Sequence, residues 1–104
     1  MKSLKKLIEL YKSKCLEKGF DGNTNKRYMN RYVFADAINE YIKPKKPLVL
    51  RHSETDDFEI NGNKLILKYY KDQKSWYNEN GLSRASRSFH VKYFYDEVVV
   101  ELTN

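Results

Sequence analysis

Asn61-Gly62 separates two runs of alternating apolar residues, Phe58 and Ile60 before it and Leu65, Leu67 and Tyr69 after it. A type I′ turn needs positive φ at both central positions, which Asn and Gly adopt at little cost. This dipeptide between alternating runs therefore predicts a two-residue β-hairpin. The chain must then build a sheet, and something else in it must cover at least one sheet face.

The cover is written upstream. Leu4, Leu7, Ile8, Tyr11 and Cys15 recur at intervals of three and four, with Lys5, Lys6, Lys12, Lys14 and Glu17 largely off the stripe. This is one apolar helical face, with Ser3 as cap and Gly19 as the left-handed stop. FDGNTN, residues 20–25, is turn chemistry. A second stripe follows on Tyr28, Tyr32, Ala35, Ile38 and Ile42. Thr24 or Asn25 is the expected cap, a start as late as Tyr32 is an alternative, and Pro44 is the stop. PKKP, residues 44–47, reads as a stiff link into the sheet.

Leu48 and Leu50 alternate with Val49 and Arg51. Near the end of the chain, Phe89, Val91, Tyr93 and Tyr95 share one phase, whereas Val98, Val100 and Leu102 share the other. A turn or a bulge near Asp96-Glu97 reconciles the two phases, with a turn giving two strands preferred. The expected fold is α+β, with two N-terminal helices packed on a four- or five-stranded antiparallel sheet. The helices span about 3–18 and 26–43, and the strands about 47–53, 57–61, 64–70, 88–95 and 98–103. All of it forms one domain, as the 104-residue length suggests. On the face away from the helices, Ile66, Lys68 and Tyr70 are expected, joined by His90, Lys92 and Phe94. An exposed edge such as 98–102 offers a place for another copy to pair.

KDQKSWYNENGLSRASRSF, residues 71–89, shows neither helix nor strand periodicity. A loop of that length in a small domain is usually functional or disordered. It carries Lys71, Lys74, Trp76, Tyr77, Arg84 and Arg87, the residue types that dominate binding hot spots and nucleic-acid contacts. Lys26, Arg27 and Arg31, interleaved with Tyr28 and Tyr32, form a secondary basic patch with Lys68 and Lys92.

Twenty basic residues against 14 acidic give a net charge of +6, which favours a polyanionic partner or simply solubility. The single cysteine, Cys15, lies on the first helical stripe and reads as core. A lone thiol points to a reducing compartment, and the basic N-terminus lacks the continuous apolar run of a secretion signal. The expected location is cytoplasmic, with no membrane association. His52 and His90 show no ligand spacing, and the acidic run around Asp56 and Asp57 reads as a solvated turn, so no metal and no cofactor are expected. His52, Glu54, His90, Arg51 and Arg87 are the right types for metal-free ribonuclease chemistry, but nothing in the spacing gathers them.

The tail RSFHVKYFYDEVVVEL resembles the closing hairpin of RelE-type ribonuclease toxins over about sixteen residues. That family's opening strand has no counterpart here, and no arginine follows Arg87. In size and lysine-rich composition the whole chain resembles small accessory proteins of phages and mobile elements, including anti-CRISPR inhibitors. That resemblance implies a non-enzymatic inhibitor that sterically blocks a nucleic-acid-handling host protein or nucleoprotein complex. Direct nucleic-acid binding is the second expectation, and a RelE-like ribonuclease toxin the third.

Overall fold

The computed structural model describes residues 1–50, 55–78 and 88–104, and among these the side chains of 76–78 and 88–90 lie outside the description. Two helices, α1 (Leu4–Lys18) and α2 (Arg31–Tyr41), precede three strands, β1 (Asp57–Asn61), β2 (Lys64–Asn78) and β3 (Ser88–Glu101). The strands form one antiparallel sheet in the order β1-β2-β3.

Helix α1 forms as its stripe dictates. The Ser3 hydroxyl accepts from the Lys6 N–H, and Gly19 closes the helix at φ 80°, a conformation that costs most residues a Cβ clash. Leu7, Tyr11 and Cys15 are buried along its inner face. Helix α2 is shorter than the expected 26–43. Residues 21–27 are instead held by a chain of Asx turns: Asn23, Asn25 and Arg27 each donate an N–H to the side-chain oxygen of the Asx residue two positions before. Neither Thr24 nor Asn25 caps α2. Asn30 does, accepting from the Val33 N–H at 3.2 Å. Tyr11 ties the two helices together, its hydroxyl donating to the Asn23 carbonyl at 2.6 Å and accepting from the Asn30 N–H at 3.2 Å. Burial pushes that phenol above its ordinary range.

The predicted hairpin is present, with Phe58 opposite Leu67 and Ile60 opposite Leu65. Asn61 still pairs with Lys64, so the two turn residues are Gly62-Asn63 rather than Asn61-Gly62, and Gly62 takes the positive φ of 63°. Leu65, Leu67 and Tyr69 face the helices and are buried with Phe58, Phe34, Ile38 and Leu102. Phe34 and Phe58 stack with ring centroids 5.1 Å apart and join the helical layer to the sheet.

Three expectations are corrected. First, residues 47–50 form no strand, and 51–54 lie outside the described residues. Side chains satisfy that backbone instead. Asn39 both donates to and accepts from Leu48, and the Val49 N–H donates to the Asp56 carboxylate. Second, no turn breaks the chain at Asp96-Glu97: β3 is one continuous strand, and the irregularity is a bulge at Lys71 on the opposite strand, between Tyr70 and Asp72. Among the described residues the sheet therefore has three strands, not four or five. Third, 71–78 is not a loop. It continues β2, paired with 88–94 of β3, while 79–87 lie outside the described residues.

Strand β1 ends its pairing at Lys68, so β2 and β3 run on together as a two-stranded ribbon. The seven pairs from Asp72–Phe94 to Asn78–Ser88 extend it by about 23 Å at the usual strand rise.

Candidate partner-binding arm

The ribbon gathers most of the residues singled out in the sequence, by an unexpected route. Lys71 is the bulged residue, and its Nζ lies 3.8 Å from Asp96 Oδ1 with both side chains largely exposed. Lys74 is opposite Lys92, a like-charge cross-strand pair that disfavours the bare hairpin. The Lys92 ammonium lies 5.4 Å from the centroid of the Phe94 ring. In the backbone register Trp76 pairs with His90 and Tyr77 with Phe89. Arg84 and Arg87 fall outside the described residues.

Strand alternation decides what each face of the arm shows. Glu97 is opposite Lys68 and Tyr95 opposite Tyr70, so odd-numbered β3 residues share the open face with Ile66, Lys68 and Tyr70. Val91 and Tyr93 therefore belong there, both exposed, whereas Lys92 and Phe94 belong to the face that the helices cover lower down. The expected grouping of Lys92 and Phe94 with Lys68 is thus corrected by one residue of phase. Phe94 is still 40% exposed, because the helical cover stops short of it. The arm presents apolar side chains on both sides to solvent.

At the arm's base, an apolar groove of about 680 Å³ lies between the α2–β1 connection and the uncovered part of β3. Ile42, Pro44, Val98 and Val100 line it, with Lys45 and Lys46 at its rim. Sequence reading did not find this groove. Its signal was present in the apolar phase of Val98 and Val100, the continuation of a core face that is only partly covered, with Val100 half-buried and Val98 exposed. The Tyr69 hydroxyl donates to the Lys46 carbonyl at 2.6 Å and fixes the groove's near wall. Burial and then the nearby Asp56 push that phenol above its ordinary range. Burial does the same to Tyr95 at the arm's base, helped by Asp57.

No known family model, curated protein or solved structure matches the chain.

The secondary patch does not assemble as one surface. Arg31 is occupied internally, pairing with Asp57, donating to the Phe58 carbonyl at 2.9 Å and lying 4.3 Å over the Phe58 ring. Lys68 pairs with Glu59 at 3.1 Å. Arg27 lies over the ring of its neighbour Tyr28. Lys26 and Arg31 share a cleft of about 310 Å³ with Ile8, Met29 and Phe58. Among the described residues, no group of three or more His, Cys, Asp and Glu could hold a metal ion, and no helix is long and apolar enough to cross a membrane. His52, Glu54 and Arg51 fall outside the described residues, as does the His90 side chain. Asp56, expected in a solvated turn, is 8% exposed and clamps two backbone N–H groups, those of Val49 and Tyr70.

Proposed function

We propose that this chain is a non-catalytic binding protein whose ribbon arm docks into the working groove of a nucleic-acid-handling protein or nucleoprotein complex and blocks it sterically. The observation that carries the reading is the arm: a two-stranded extension beyond the helical cover, with Val91, Tyr93 and Phe94 open to solvent. A soluble fold rarely exposes contiguous apolar and aromatic groups without a partner for them. The arm's apolar surface favours a protein partner, and Lys71, Lys74 and Lys92 favour an acidic one. Trp76 and Tyr77, near the end of the described ribbon, supply the anchor types common at interface centres. In this role the chain resembles phage and mobile-element inhibitors.

The test is capture from bacterial lysate, with and without nuclease, by the intact chain and by a Trp76→Ala variant. The intact chain is expected to retain a protein partner after nuclease treatment. The variant is expected to keep its melting temperature and lose that partner. A variant that unfolds would assign Trp76 to the protein's own interior instead.

One observation favours a second reading, direct nucleic-acid binding. Residues 1–50 contain 12 basic and 5 acidic side chains, against 8 and 9 over 51–104. The excess charge therefore belongs to the helical half, where it can meet phosphates, and a two-stranded ribbon fits a DNA major groove. Binding to random duplex or single strands with a steep salt slope is the outcome that selects it.

A further inference from the structure

Among the described residues, the outer edge of β3 is open over most of its length. Leu102 donates its N–H to the Asn63 carbonyl, and its own carbonyl accepts from Asn63 Nδ2, so its main-chain groups point toward β2. Thr103 does the reverse, donating to the Lys2 carbonyl and accepting from the Leu4 N–H on the outer side. Extended chain alternates, and β3 carries no bulge of its own, so the N–H and C=O groups of Val91, Tyr93, Tyr95, Glu97, Val99 and Glu101 also point outward. The segment Lys2–Leu4 closes this edge only at Thr103, and among the described residues no strand lies beyond β3 above that point. A long, uncovered edge of this kind, rich in β-branched and aromatic residues, is a template for another strand.

We propose that the edge is completed by a second copy of this chain, paired antiparallel about a two-fold axis at Phe94. Two like edges can pair only through residues of the same parity, because their outward groups must meet. Of the allowed registers, the one centred on Phe94 sets Lys92 opposite Asp96 of the second copy, twice. These are the non-hydrogen-bonded positions, where side chains approach most closely. Tyr93 and Tyr95 of the second copy then exchange both main-chain hydrogen bonds, as do Val91 and Glu97. Shifting the axis to Tyr95 places Lys92 against Val98, and shifting it to Tyr93 places Lys92 against Phe94, so charge selects the central register.

Each copy is left with a matching need. Lys92 has Lys74 across from it and no carboxylate partner among the described residues. Among the described residues, Asp96 pairs only through the long, solvent-exposed contact to Lys71, a type of pair worth little. The second copy supplies the carboxylate on the other side of Lys92 and offsets the repulsion built into the arm. In this register no like-charged residues of the two β3 strands stand opposite one another.

Sedimentation equilibrium of the full chain at low ionic strength tests the pairing. The mass is expected to rise with concentration from 12.5 kDa toward twice that value. Lys92→Asp and Asp96→Lys are each expected to weaken association about tenfold or more, and the double variant to restore it. Both side chains are exposed and outside the core, so the variants are expected to keep the wild-type melting temperature. The amides of Tyr93, Tyr95 and Glu97 are expected to exchange more slowly as concentration rises. A wild-type chain that stays at 12.5 kDa to millimolar concentration overturns the proposal. So does a dimer indifferent to either single reversal, or a double variant no better associated than the single ones.

Discussion

Asp56 shows how one side chain can replace a strand. Its two carboxylate oxygens accept from the Val49 N–H at 2.9 Å and the Tyr70 N–H at 2.7 Å, holding the connection before β1 against the middle of β2. Asp56→Ala leaves both donors without that acceptor and is expected to cost about 2–4 kcal/mol, read from denaturant unfolding. The Lys68–Glu59 pair on the open face has a different signature. The hydrogen bond from Lys68 holds the Glu59 carboxyl below its ordinary 4.5, and Glu59 holds the Lys68 ammonium above its ordinary 10.5. A lowered acid stabilises above its unfolded value, and a raised base stabilises below its own. The pair's contribution is therefore complete between 4.5 and 10.5. It is lost in acid as pH falls through the lowered Glu59 value, and in base as pH rises through the raised Lys68 value. The unfolding midpoint of Glu59→Gln is expected to lie slightly below wild type by a constant amount at neutral pH, and to converge with it in acid.

Among the elements, α1 and the β1–β2 hairpin were legible because local signals and tertiary demand agree there, although the turn falls one residue later than Asn61-Gly62. Ser3, Gly19 and the stripe through Leu7, Tyr11 and Cys15 all specify one helix, and Phe58, Leu65 and Leu67 all specify one register. Strand β3 was misread because its apolar phase changes without a break in the chain. Val98, Val100 and Leu102 face the helical side, whereas Val91, Tyr93 and Tyr95 face the other way, where the strand has left the helices' cover. Periodicity records which side is apolar and not whether the chain has turned. The ribbon residues 71–78 were hidden for a related reason: their polar composition suits a hairpin solvated on both faces, which reads as loop. The residue types of the candidate arm were therefore legible and its shape was not. At Lys71 the extra residue bends the ribbon and raises its local twist. Deleting Lys71 leaves every other β2–β3 pair intact and straightens the ribbon. The expected result is unchanged thermal stability with loss of partner capture, compared by melting and pull-down on the same preparation.

As a whole the molecule measures 53 × 29 × 23 Å, with a radius of gyration of 17.2 Å. A compact chain of this length is expected near 13 Å. The excess belongs to the arm, because among the described residues every buried core residue lies in the helices, in Leu48, Phe58 and Leu102, or in β2 no further than Tyr69. Replacing residues 70–95 by Asn-Gly, so that the turn closes the Tyr69–Asp96 pair, is expected to leave a cooperatively folding domain. Small-angle scattering is expected to show its radius of gyration falling toward the compact value. Failure of that excised chain to fold would mean that the arm contributes to the core after all.

Ser3 and Thr103 form a parallel bridge, with hydrogen bonds of 2.8 Å from Leu4 to Thr103 and from Thr103 to Lys2. Residues 2–4 and 103, at either end of the sequence, are thus neighbours in space. A circular permutant, with those two ends spliced by a short linker and new ends opened at Gly62-Asn63, would exchange a reverse turn for a covalent seam while keeping the same packing.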